Sequence, residues 1–134
     1  MEKINTVLKT MTFDFFGSGQ HKIFPSMHLA GKNSIFLDVR SNEEAETINL
    51  RLKHHMPVIH IPIDEIPERI TEIPRDKVVG IFCSSDVRST MVYFYLRILG
   101  FDNVRIIEGG YAEFVEELKP GKLLKQLSQK EDLK

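Results

Sequence analysis

The chain has a single cysteine, Cys83, among 134 residues. One thiol excludes an internal disulfide framework, and it excludes any zinc site built on several thiolates. Neither sign of charge dominates. Lys and Arg number 18 against 19 Asp and Glu, for a formal net charge of −1. That excludes the basic field that draws nucleic acid or an anionic membrane surface. No apolar run approaches the roughly 20 residues that span a bilayer. Near the start, Glu2, Lys3, Lys9 and Asp14 break up the apolar residues, and no small-residue cleavage site follows, so a secretory leader is not expected. Internal repeats and low-complexity segments are absent as well. These absences lead us to expect a cytoplasmic protein with no nucleic-acid or membrane partner.

What is present is an ordinary globular composition, 42% apolar and 28% charged, long enough to bury a core. Residues 1–21 read as an N-terminal appendage. Ile4, Val7, Leu8 and Met11 have helical spacing, and Phe13, Phe15 and Phe16 precede the break Gly17-Ser18-Gly19. Residues 22–120 read as the main domain, and 121–134 as a charged tail or helix. Five strands are expected, at Lys22–Phe24, Ser34–Val39, Val58–Ile61, Lys77–Phe82 and Val104–Ile107. The runs SIFLDV and KVVGIF are nearly all apolar, as in strands covered on both faces. Helices are expected at Ser26–Gly31, from Asn42 to about His54-His55, at Asp64–Ile70, at Ser89–Leu99 and at Tyr111–Leu118, the last ended by Pro120-Gly121. Strands alternating with helices give the α/β class, with an open, mainly parallel five-stranded sheet flanked by helices on both faces.

In such sheets ligands sit at the carboxyl ends of the strands. That rim carries the turns after Asp38, Phe82 and Ile107. The turn after Phe82 reads C-S-S-D-V-R-S, Cys83 to Ser89, and runs straight into a helix. Several N–H groups there lack intrahelical partners. Curled round the sulfur, they form an anion nest at the positive end of the helix dipole. Arg88 adds a fixed cation with a bidentate fork. All three features favour a thiolate, and hence a nucleophile. A strand-to-helix turn that merely contains Cys and Arg is the competing reading.

Four segments in this order resemble the rhodanese-like domain family, over about residues 22–120. They are F-L-D-V-R at Phe36–Arg40, I-H-I-P at Ile59–Pro62, C-S-S-D-V-R-S, and I-I-E-G-G-Y at Ile106–Tyr111. The resemblance implies a sulfurtransferase that carries sulfane sulfur as a persulfide. Cys83 would be nucleophile and carrier, and Arg88 the catalytic anion clamp. Ser84, Ser85, Asp86, Val87 and Ser89 would bind the transferred group. It implies a small sulfur-containing anion or a protein persulfide as donor, a thiol or cyanide as acceptor, and no cofactor or metal. Related phosphatases and arsenate reductases use a loop one residue longer, so the six-residue span from Cys83 to Arg88 favours sulfur as the transferred group. A non-catalytic binding or redox-sensing module is the alternative, because an exposed reactive thiol also oxidises.

Two departures from the family pattern bear on activity. Asp86 stands where the family's loop usually has glycine. Aspartate tolerates positive φ, but a carboxylate near the sulfur would oppose a thiolate and repel thiosulfate. The family's Gly-His-Ile-Pro-Gly-Ala stretch is replaced by L-R-L-K-H-H-M-P-V, Leu50–Val58, so that rim should be shaped differently. Weak thiosulfate chemistry is therefore expected. Asp38 and Arg40 are expected to pair and brace the loop, and Glu108 to orient or cap. His54, His55 and His60 lie close in sequence, but adjacent helical histidines diverge, so a metal site is not expected. The N-terminal segment is a candidate dimerisation element.

Overall fold

The structure is a computed structural model that describes residues 1–52 and 55–132. Five strands form one sheet: β1 (Lys22–Ile23), β2 (Ser34–Asp38), β3 (Val58–His60), β4 (Val78–Phe82) and β5 (Val104–Ile107). All pairings are parallel, in the order β1-β5-β4-β2-β3. The helices are α1 (Glu2–Thr10), α2 (Phe13–Gly17), α3 (Pro25–Ala30), α4 (Asn42–Thr47), α5 (Val87–Ile98), α6 (Gly110–Glu117) and α7 (Pro120–Asp132). The sheet is parallel throughout, and no helix among the described residues is long and apolar enough to cross a membrane.

Alternation along the strands sorts the core into two layers. Ile35, Leu37, Val79, Ile81, Val104 and Ile106 face α5, where Val92, Tyr93 and Leu96 complete one cluster. Phe36, Phe82 and Ile107 point the other way, onto Leu29 of α3 and Phe114 of α6. Cys83 keeps the parity of Val79 and Ile81, so its side chain falls in the α5 layer. The middle strands β2, β4 and β5 carry near-continuous apolar runs because both their faces are covered. Gly80 is needed on the α3 side. A methyl group there would collide with the imidazole of His28, whose Nε2 lies 2.8 Å from the Ile35 carbonyl oxygen. The N-terminal helices lie against the domain. Val7 and Phe15 are buried, and Arg97 of α5 donates to Thr10 Oγ1 at 3.1 Å.

Several boundaries differ from the sequence reading. The expected helix from Asn42 to His54-His55 stops at Thr47, and His54 lies outside the described residues. Leu50 and Leu52, two apart, are both buried against the Phe36–Phe114 layer, which is the spacing of extended chain and not of a helix. The N-cap is Ser41, not Asn42: its Oγ accepts the Glu44 N–H while the Glu44 side chain accepts from the Ser41 N–H, a complete capping box. The expected helix Asp64–Ile70 is two 3-10 turns, Ile63–Glu65 and Ile70–Glu72. Pro67 has no N–H to give an α-helical ladder there. Pro120 opens α7 and does not end a helix. Proline's fixed φ suits a first helical position, where its missing N–H is no loss.

Candidate active site

The loop from Cys83 to Ser89 leaves the carboxyl end of β4, the central strand, and enters α5 at Val87. Cys83 is a free thiol with no exposed surface. Its Sγ accepts the Ser89 N–H at 3.3 Å and donates to Ser89 Oγ at 3.4 Å. The Ser89 hydroxyl in turn donates to the Asp86 carbonyl at 3.1 Å. Ser89 is itself fully buried, so the sulfur rests on the first turn of α5. Ser84 and Asp86 are half-buried, while Ser85 and Val87 turn to solvent.

Asp86 takes a left-handed backbone at φ 71°. Its carboxylate is held by the turn that leads into α6. Oδ2 accepts the Gly109 N–H at 2.9 Å and Oδ1 the Gly110 N–H at 3.2 Å. Those amides begin α6, so the charge lies at the positive end of that helix dipole. A second tie crosses the same seam, from the Tyr111 N–H to the Ser84 carbonyl at 3.2 Å. The approach is so close that a methyl group on Gly110, itself at φ 58°, would overlap the Ser84 carbonyl. The C-S-S-D-V-R-S loop and the Gly109-Gly110 turn are one fused unit.

Arg88 is engaged within the chain. Its Nη1 and Nη2 donate to the two oxygens of Glu44 at 2.6 and 2.9 Å, and Nη2 also to Ser84 Oγ at 2.9 Å. The Arg88 guanidinium holds the Glu44 carboxyl down at about 2, and Glu44 in turn raises Arg88 further above its usual range. The anion fork that the family pattern assigns to Arg88 is therefore filled by a side chain from α4.

Asp38 and Arg40 form a buried pair. Arg40 Nε donates to Oδ1 at 2.9 Å and Nη2 to Oδ2 at 2.7 Å. Arg40 Nη1 reaches Tyr111 Oη at 2.9 Å, and its guanidinium carbon lies 5.8 Å from the Phe82 ring centre. Burial works against the charge, but the bonds from Asp38 and Tyr111 outweigh it and hold Arg40 ionised. Through Tyr111 the pair supports the fused loop unit from below. Glu108 sits apart, paired with Lys22 at 2.8 Å across the β1–β5 edge. His60 Nε2 lies 2.8 Å from the Arg40 carbonyl oxygen, and no three His, Cys, Asp or Glu among the described residues are grouped to hold a metal ion.

Glu44 and Tyr111 were not singled out in sequence. Glu44 falls inside the helix expected from Asn42, and Tyr111 closes the I-I-E-G-G-Y segment. The signature Ser41-x-x-Glu44 marks a capping box, but nothing local links it to an arginine 44 positions away.

Residues 26–117 match the rhodanese-like domain family. The tRNA sulfurtransferase of Psychromonas ingrahamii is 33% identical over 75 residues, 56% of this chain and 15% of that protein. The chain thus spans about 15% of the length of the curated relatives it matches first. The crystal structure of a rhodanese-related protein from Thermoplasma volcanium is similar at a TM-score of 0.62 and 29% identity, covering 75% of this chain and 95% of that one. An NAD-dependent persulfide reductase from A. fulgidus gives 0.57 and 37% identity, covering 73% of this chain and 17% of that one.

Proposed function

The chain belongs to the rhodanese-like domain family, and on that footing we propose that it is a sulfurtransferase carrying sulfane sulfur on Cys83. One observation supports this most: Cys83 Sγ sits on the Ser89 amide at the head of α5, 3.3 Å from the nitrogen, where a sulfur anion is stabilised by an N–H and a helix dipole. The names of its relatives, tRNA sulfurtransferases and a persulfide reductase, support sulfur as the group handled.

In the loading step the Cys83 thiolate attacks the outer sulfur of a persulfide R–S–S⁻. A new S–S bond forms, the donor's S–S bond breaks, and its electron pair leaves as R–S⁻. Thiosulfate would react the same way, with sulfite leaving. In the unloading step an acceptor thiolate attacks the outer sulfur, takes it as a persulfide, and returns Cys83 as thiolate. Charge and electrons balance in both steps without any cofactor. Ser89 holds the sulfur, Asp86 and the Gly109-Gly110 amides hold the loop's shape, and Arg88 with Ser84 forms its outer wall. Asp38 and Arg40 support the unit through Tyr111. Cys83 has no exposed surface, which shields it from bulk oxidants. The same burial means that a donor reaches Sγ only when loop side chains move aside.

The test is intact mass after incubation with a small alkyl persulfide or thiosulfate. The protein should gain one sulfur atom, reversed by a thiol reductant, and Cys83→Ser should gain none. Absence of any adduct with every sulfane donor would overturn the reading in favour of a non-catalytic module.

A further inference from the structure

Three charged side chains on this rim are paired within the chain. Asp86 lies on two amides, Arg40 on Asp38, and Arg88 on Glu44. The third pairing matters most for substrate, because Arg88 shares the Cys83–Ser89 loop with the sulfur and its Nη2 donates to Ser84, the residue next to Cys83. Glu44 does not depend on Arg88 for its place. Its Oε1 also accepts the Ser41 N–H at 3.1 Å and the Ser41 hydroxyl at 3.0 Å, so the capping box anchors the carboxylate independently. Both terminal guanidinium nitrogens of Arg88 are turned onto it. An incoming oxyanion would have to displace a tethered carboxylate or sit beside it.

Resting on the sulfurtransferase reading, we infer that Glu44 is a specificity-determining residue that selects against dianionic sulfane donors such as thiosulfate and for singly charged persulfides. Thiosulfate brings its sulfonate end to a fork already neutralised, and meets the Glu44 charge at short range. A persulfide presents one charge on the sulfur to be transferred, where the Ser89 amide receives it, and its organic end needs no guanidinium. Neighbouring residues reinforce the bias. The Arg40 guanidinium is held by Asp38 and Tyr111 and is not free to replace Arg88.

The experiment compares kcat and KM for thiosulfate and for 2-hydroxyethyl persulfide in wild type, Glu44→Gln and Glu44→Asp. Glutamine can still accept the Ser41 hydrogen bonds but leaves the Arg88 charge uncovered. The ratio of thiosulfate to persulfide kcat/KM should rise about tenfold in Glu44→Gln, mostly through a lower KM for thiosulfate, and the gain should shrink with added salt. Glu44→Asp keeps the charge and should not show the rise. An unchanged ratio, or an equal fall with both donors, would overturn the inference and leave Glu44 with a capping role only. If wild type accepts sulfur from neither donor, the sulfurtransferase reading itself fails, a distinct outcome.

Discussion

Replacing Asp86 tests whether the active loop is fixed from outside by its own side chain. The carboxylate makes two hydrogen bonds to amides, at 2.9 and 3.2 Å. A hydrogen bond to a charged group contributes about 1.5–3 kcal/mol when buried. Asp86 is only half-buried, so the two together are worth about 2 kcal/mol. Its backbone, at φ 71°, adds about 1 kcal/mol of strain for a residue such as alanine. Asp86→Ala should therefore lose about 3 kcal/mol. Asp86→Gly regains the backbone freedom but not the clamp and should lose about 2 kcal/mol. Asp86→Asn, which keeps an oxygen and tolerates the conformation, should lose about 1 kcal/mol. Urea unfolding at constant m-value measures all three, and the alanine variant should melt about 10 °C lower. A glycine variant as stable as wild type would refute the clamp. Because the carboxylate is tied up on Gly109 and Gly110, Asp86→Gly should also leave the donor ratio well below that of Glu44→Gln.

Two further outcomes follow from the charge pairs. The Glu44 carboxyl sits at about 2 in the folded chain against an ordinary 4.5. Its contribution is thus present above pH 4.5 and is lost as pH falls toward 2; with a side chain 31% exposed, it amounts to about 1–2 kcal/mol. Glu44→Gln should flatten that part of the stability–pH curve, and an unchanged acid limb would contradict the pairing. Arg40→Met should cost about 3–5 kcal/mol by stranding Asp38 in the core, while the double variant Asp38→Leu with Arg40→Met should recover much of the loss; equal costs for single and double variants, read from urea midpoints, would contradict a coupled pair.

How much of this was legible in sequence depends on how far each signal reaches along the chain. The strands β2 and β4 follow from the apolar runs SIFLDV and KVVGIF, because strands covered on both faces show no alternation to misread. Cys83 at a strand end, before a helix, is equally local. The helix expected after Asn42 failed because Leu50 and Leu52 are buried by extended chain, and acidic residues early in a helix do not say where it stops. The charges were hardest. Asp86 was expected to weigh on the sulfur, yet its carboxylate lies on amides 23 and 24 residues away. Arg88 was expected to stand open as an anion clamp, yet it meets Glu44 from α4. Each pairing depends on where two separate βα turns come together on the rim, and no local pattern encodes it.

The central claim is that sulfur passes through Cys83, and single-turnover transfer tests it most directly. Protein loaded with radiolabelled sulfane sulfur and freed of donor would be mixed with a small thiol, and the label followed. The account predicts that the label moves to the thiol as its persulfide, in an amount approaching one per chain, and that Cys83→Ser carries none. Label that stays with the protein, or that moves equally from Cys83→Ser, would contradict it.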